Sequence, residues 1–309
     1  MKFPPRLQKG GTILLVSPSS PLSEKQPVEE IAAMVEGLGY RVKIGMSCRG
    51  STSRGYAAAP AEVRAADLNK GFTDPSIDAI WCTRGGSTAW QILPYLDYAR
   101  IAAHPKPLIG FSDITTLHIA IRQRCDFVTF HGPTANHIYD WKEDKFPWQS
   151  LQAALQMGEC LPIENPPGEA IKTLRPGRAC GTLVGGNLSL VTATLGTPWQ
   201  IDARNGILYL EDVGEDVYSL DKMLCQLKYA GVLERANGIV FGTFTSCPNE
   251  YREDYGPTEL LREFFAKWLK PVIYNVRSAH CHPMVTLPMG TSCTIDGDSG
   301  TMTVYCPCR

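Results

Sequence analysis

Ser112 stands at the centre of the stretch that offers this chain a nucleophile, Pro107-Leu-Ile-Gly-Phe-Ser-Asp-Ile-Thr-Thr-Leu-His118. Leu108 and Ile109 read as the end of a buried strand, and Asp113 to Arg124 as a helix, because Ile114, Leu117 and Ile121 recur at i, i+3 and i+7. A strand that turns straight into a helix through a serine has the architecture of a nucleophile elbow, which exposes the hydroxyl and aims the helix N-terminus at it. Asp113 suits the first turn, where a carboxylate complements the helix dipole. The usual elbow has glycine two places after the serine, and Ile114 occupies that place here. A Ser-Asp N-cap following a buried strand accounts for the same residues.

A serine is a poor nucleophile at its free pKa, so it needs a base and a group that orients the base. Six histidines are available. His104, His118 and His137 read as structural or exposed, whereas His131 ends a strand in His-Gly-Pro and could line a cleft. Ala279-His-Cys-His-Pro283 offers two candidate bases, since His280 and His282 face the same way if the segment is extended. A His-x-His pair also suits zinc, but no carboxylate or cysteine cluster nearby completes a site. For the orienting acid, Glu211 lies at the end of the apolar run Gly206-Ile-Leu-Tyr-Leu210, where a carboxylate is costly unless paired. Asp212 and Glu215 read as loop or cap residues. Gly85-Gly86, after another strand, and the Asp113 N–H at a helix start could supply oxyanion donors. A plain tight turn explains the two glycines equally well.

These residues need a frame that places them. Thr12-Ile-Leu-Leu-Val16, Tyr40 to Ile44, Ile77 to Cys82, Leu108-Ile109 and Val128-Thr-Phe130 read as strands, separated by helices over Pro27–Leu38, Gly55–Phe72, the Trp90 region and the elbow helix. Such alternation predicts an α/β fold with a parallel, doubly wound sheet and right-handed crossovers. Its chemistry belongs at the carboxyl ends of the strands, where Ser17-Pro-Ser-Ser-Pro21, Gly85-Gly86 and Ser112 all lie. We expect this domain over residues 1–140, a Pro/Gly-rich linker over 141–178, and a C-terminal mixed α/β domain over 179–309.

Composition bounds the rest. With 309 residues, 44% hydrophobic and 20% charged, the chain can bury a substantial core. A formal net charge of −1 gives no electrostatic case for nucleic acid or an anionic membrane surface. No stretch approaches the roughly 20 apolar residues of a membrane span, and the N-terminal residues lack a signal-type apolar segment, so a cytoplasmic location is expected. Eleven scattered cysteines, of which only Cys306 and Cys308 sit close together, fit reduced core residues better than zinc ligands or a disulfide framework.

Arg84-Gly-Gly86, Gly110-Phe-Ser-Asp-Ile-Thr115, His131-Gly-Pro133, Gly185-Gly-Asn-Leu188, Leu210-Glu-Asp-Val-Gly-Glu215 and Ala279-His-Cys-His-Pro…Leu-Pro-Met-Gly290 occur in the order found in LD-carboxypeptidases. The chain resembles that family of Ser-Glu-His serine peptidases, which includes the microcin C immunity proteins, over nearly its whole length. The resemblance implies a flavodoxin-like or glutamine-amidotransferase-like N-terminal domain carrying the serine, and a C-terminal domain carrying the glutamate and histidine. It makes Ser112 the nucleophile, His280 the base and Glu211 its orienter, with oxyanion N–H groups from Gly86 and Asp113. The family's spacing of a small residue, His, two residues and Pro selects His280 over His282. By the same resemblance Arg84, Gly85, Ser87, His131 and Asn187 contact substrate, and no metal or cofactor takes part. Ala279 replaces a usual glycine, and Ser87-Thr88 a usual Tyr-Gly, the latter in the substrate pocket. The implied activity is release of terminal D-alanine from the L,D-peptide bond of murein tetrapeptide in cell-wall recycling, by a homodimer. Two other readings stand beside it. One is an amidase acting on aminoacyl-nucleotide antibiotics, which the aromatic stretch Tyr139 to Trp148 would favour by stacking on a base. The other is a ligand-binding protein without catalysis.

Overall fold

Apolar runs too short for helices and buried on both faces make the first sheet. Strands β1 (Thr12–Val16), β3 (Ala79–Cys82), β4 (Leu108–Gly110) and β5 (Thr129–His131) are buried almost throughout, as a sheet covered by helices on both sides requires. The edge strand β2 (Arg41–Ile44) instead alternates exposed and half-buried residues. All five run parallel, in the order β2-β1-β3-β4-β5. The order reverses between β1 and β3, the place where doubly wound sheets open a crevice at their carboxyl ends. There the Ser17 and Thr83 hydroxyls lie 2.6 Å apart.

The computed structural model describes residues 1–49 and 55–305 and divides into two units, one ending at Gln156 and the other beginning at Met157. The division falls inside the stretch expected to link the domains. Helix α6 (Lys145–Leu155) buries Leu151, Ala154 and Leu155 within the first unit. Strands β6 (Cys160–Pro162) and β7 (Lys172–Arg175) are edge strands of the second unit's sheet, so Pro and Gly there punctuate short strands. The Cys306 and Cys308 pair lies outside the described residues, and the nine described cysteines are free thiols.

Eight strands form the second sheet, with β6 and β7 at its two edges. Its centre is parallel: β8 (Arg178–Asn187), β9 (Gly206–Val213), β10 (Gly238–Thr245) and β11 (Val272–Tyr274). Antiparallel strands flank it, with β7 on one side and the β13–β14 hairpin (Ser292–Asp296, Thr301–Tyr305) with β6 on the other. The C-terminal unit is therefore mixed α/β, as the sequence predicts. Strand β9 runs three residues beyond the apolar core Gly206–Leu210 and carries Glu211 inside the sheet. Opposite Glu211, Gly242 and Thr243 form a bulge, because Leu210 pairs with Phe241 and Asp212 with Phe244. Two residues facing one re-aim side chains, a common device beside active sites.

Candidate active site

In the first unit, Ser112 follows β4 and opens a 3₁₀ turn, Ser112–Ile114, that leads into helix α4 (Thr115–Cys125). Its φ is +63°. A residue bearing a Cβ adopts this left-handed backbone at a cost of order 1–3 kcal/mol, and such strain clusters where function needs a side chain presented at a sharp corner. The elbow read from the sequence is present, with its glycine place held by buried Ile114.

The Gly85-Gly86 loop after β3 lies directly against this corner. A Cβ added to Gly85 would fall 2.9 Å from Ser112 Cβ and 3.1 Å from its Oγ, so only glycine lets that backbone approach the hydroxyl. Gly86 has φ of +147° and is exposed, together with Arg84 and Ser87. Among the described residues, neither the Gly86 nor the Asp113 amide N–H takes a protein acceptor. The Gly85 backbone thus lies beside the Ser112 hydroxyl, with the Gly86 and Asp113 N–H groups the next donors along the two loops. The Asp113 carboxylate itself is fully buried and accepts from Ser19 Oγ and from the Ala89 N–H at 2.7 Å. Burial pushes its pKa up, against the lowering effect of those hydrogen bonds and of the Arg64 charge.

Behind the elbow, His118 Nε2 donates to the Gly110 carbonyl at 2.8 Å. Burial pushes its pKa down to about 4, which keeps it neutral and structural. His131, the last residue of β5, is also fully buried, its ring 6.0 Å from that of Phe111. It belongs to the packing beneath the elbow.

In the second unit, Glu211 is 0% exposed and its Oε2 accepts from His280 Nδ1 at 2.8 Å and from the His280 backbone N–H at 3.3 Å. This bond places the ring proton on Nδ1 and makes Nε2 the basic nitrogen. Glu211 Oε1 has no partner among the described residues. A buried carboxylate bonded twice to one histidine is costly as structure and useful as an orienting group. Gly242 makes the space, since a Cβ there would lie 2.6 Å from the Tyr209 hydroxyl and 2.8 Å from Glu211 Cβ. The segment after β11 is not extended. It bends, so His280 is 17% exposed and points to Glu211 while His282 is exposed, its carbonyl bound by Arg277 at 2.9 Å.

Other candidates take different places. Asn187 is buried as the N-cap of helix α7 (Leu188–Ala193), its Oδ1 accepting from Leu190 N–H and its amide donating to Asp212 at 2.8 Å. Asp212 also accepts from Ser189 and from the Val213 N–H, which identifies it as a cap. Glu215 is half-buried in the loop after β9, and burial followed by the charges of Asp212 and Asp216 raises its pKa. No group of His, Cys, Asp and Glu suited to a metal ion occurs among the described residues, and no helix among them is long and apolar enough to cross a membrane. Ser19 lies in the Ser17–Pro21 loop expected at a strand's carboxyl end, whereas Arg64 adjoins the elbow with no motif to mark it, its only signal being its place on the same helical face as Leu68 and Phe72.

Comparison with known proteins places these features in one lineage. The LD-carboxypeptidase N-terminal domain model matches residues 13–132 and the C-terminal domain model residues 180–295. A probable murein peptide carboxypeptidase of Bacillus subtilis is 35% identical, covering 95% of this chain and 91% of its own. The murein tetrapeptide carboxypeptidase of Pseudomonas aeruginosa is 30% identical, covering 93% and 94%. Among solved structures, the microcin C7 self-immunity protein in its wild-type apo state superposes with a TM-score of 0.88 at 24% identity, covering 98% of each chain, a likeness of fold. Matched in both halves by the family's own domain models and along nearly its full length by curated relatives, the chain belongs to the LD-carboxypeptidase family and is a serine carboxypeptidase.

Proposed function

We propose that the chain removes the terminal D-amino acid from an L,D-peptide bond, with murein tetrapeptide as substrate. The observation that carries this reading is the pairing of buried Glu211 with His280 in a chain whose strained corner between β4 and α4 is a serine, Ser112. The names of the Bacillus and Pseudomonas relatives support the substrate class. Ser112 Oγ attacks the scissile carbonyl while its proton passes to His280 Nε2. Glu211 holds the Nδ1–H and stabilises the imidazolium. The Gly86 and Asp113 N–H groups receive the developing oxyanion. The C–N bond then breaks as His280 returns the proton to the departing D-alanine amine, leaving the tripeptide as an acyl ester of Ser112. Water activated by His280 hydrolyses that ester. Arg84 and Ser87, exposed on the Gly85-Gly86 loop, are the side chains offered to substrate there.

For the amidase alternative, the aromatic stretch supplies less support than its sequence suggests. Trp148 stacks on Trp81 at 5.9 Å and meets Tyr40 edge-on at 6.0 Å, Tyr139 bonds Glu30, and Trp141 packs on His137. These aromatics are engaged in the first unit's own packing. Mass spectrometry after incubation with murein tetrapeptide, and separately with an aminoacyl sulfamoyl adenylate, tests the choice. Tripeptide plus D-alanine in the first reaction alone is the expected result. Cleavage of the adenylate alone would replace our substrate with the other one. Ser112→Ala should lower turnover by several orders of magnitude without altering the circular dichroism spectrum.

A further inference from the structure

The loop after β1, Ser17-Pro-Ser-Ser-Pro21, takes no part in the steps above, yet its serines reach into the nucleophile's surroundings. Ser19 Oγ donates to the Asp113 carboxylate and accepts from the Thr88 N–H at 3.2 Å, so one hydroxyl joins the elbow to the loop after β3. Asp113 takes a second bond from that loop, the Ala89 N–H at 2.7 Å. Arg64, 1% exposed, donates to the Pro18 carbonyl at 2.7 Å and to the Thr88 carbonyl and hydroxyl at 3.0 Å. It has only neutral acceptors at hydrogen-bond distance, completed by Ala59 and Gln91, so a whole guanidinium is buried to tie two loops together. Such a group is expensive to desolvate, and its retention asks for a reason beyond loop packing.

That reason lies at the Gly85–Gly86 peptide. Ser20 N–H donates to the Gly85 carbonyl at 3.3 Å. In a trans peptide the carbonyl and the next N–H point opposite ways, so this bond turns the Gly86 N–H away from Ser20. The serine loop also packs over Gly86, where an added Cβ would meet Ser20 Oγ at 2.2 Å and Ser19 Oγ at 2.5 Å. We propose that Ser19, Asp113 and Arg64 are positioning residues, a buried clamp that holds the Gly86 N–H in the orientation that receives the oxyanion beside Ser112. The proposal rests on the assignment of Ser112 and Gly86 made above. Asp113 thereby acts twice, through its N–H at the oxyanion and through its carboxylate on the opposite donor's loop.

Three variants assayed on murein tetrapeptide test it. Ser19→Ala removes one hydroxyl and is expected to lower kcat by about 100-fold, the effect of losing an oxyanion donor. KM should stay within about twofold, and the pH midpoint of kcat/KM should not move, because proton transfer through His280 is untouched. Asp113→Ala removes the oxygen that accepts both the Ser19 hydroxyl and the Ala89 N–H and should behave alike, and the Ser19→Ala/Asp113→Ala pair should lose no more than the poorer single variant, since both break one device. A merely structural role would raise KM and lower the melting temperature in step with kcat, with losses that add, and that result overturns the clamp. So does a Ser19→Ala enzyme whose kcat stays within about threefold of the parent while Ser112→Ala is inactive. Activity retained by Ser112→Ala would overturn the nucleophile assignment instead, and the clamp with it. Should Asp113→Ala not fold, Ser19→Ala alone decides the matter.

Discussion

Glu211 and Glu215 sit four residues apart in one acidic stretch, and burial separates their roles. The first is fully enclosed and bonded to His280, while the second faces the loop with no such partner. Glu211→Gln keeps the shape but removes the charge that holds the imidazole, and on the precedent of other triads should cost roughly 10⁴-fold in kcat. Glu215→Gln should cost under about tenfold. Equal losses would show that the wrong carboxylate has been assigned. The two histidines separate in the same way. His280→Ala should abolish labelling of Ser112 by a fluorophosphonate probe as well as hydrolysis, because the serine loses its proton acceptor. His282→Ala should label normally and change KM at most, since His282 is exposed and the histidine bonded to Glu211 is His280. Reversed outcomes would make His282 the base.

At the scale of elements, strands and bulges decide whether those side chains meet. The bulge at Gly242-Thr243 leaves Glu211 its room, with the Glu211 Cβ only 2.8 Å from where a Cβ on residue 242 would be. Gly242→Ala should therefore displace the carboxylate and lower kcat by at least about tenfold, more than its effect on KM, which steady-state kinetics would resolve. Helix α4 contributes a pH dependence of stability. His118 holds the Gly110 carbonyl while neutral, with a folded-state pKa of about 4 against an ordinary 6.5. Between those values the unfolded chain binds a proton that the folded chain does not, so stability falls as pH drops from about 6.5 to 4 and levels off below. The contribution is of order 3 kcal/mol. His118→Gln keeps an N–H donor and removes the titration, so denaturant melts across this window should show a flatter acid limb. An unchanged slope would mean that His118 is not the responsible group.

On the scale of the molecule, Ser112 belongs to the first unit and the Glu211–His280 pair to the second. Residues 1–156 and 157–309, expressed separately, should each be inactive in the tetrapeptide assay, because neither holds both the proposed nucleophile and the proposed base. Activity of the whole chain should survive a strong chelator, since the reaction assigned to it moves protons through His280 and stabilises charge on backbone amides. Loss with EDTA and recovery with zinc would revive the metal reading of His280 and His282.

Much of this was legible in the chain itself. Strands buried on both faces must be continuous apolar runs, so β1, β3 and β9 could be read directly, and the Leu-Ile-Gly-Phe-Ser-Asp corner announced a strand turning into a helix. Composition set the expectation of a globular chain with a substantial core, because charge balance and apolar content are sums over residues that need no coordinates. The resemblance carried the order of the motifs. Tertiary structure alone decided what depends on contacts between distant residues. Spacing alone allowed both His280 and His282 and the resemblance named His280, while a bend after β11 supplies the physical reason, bringing that ring to Glu211 across 69 positions of sequence. Asn187 matched a motif, yet burial made it a helix cap. Trp148 looked available for stacking until Trp81 and Tyr40 were found against it. The sequence marked Ser19 only through its loop at a strand end, and Arg64 not at all, because a hydrogen bond between residues 19 and 113, or 64 and 18, leaves no local pattern of period or propensity. Periodicity reports which face of an element is buried, and only the packed chain reports what that face meets.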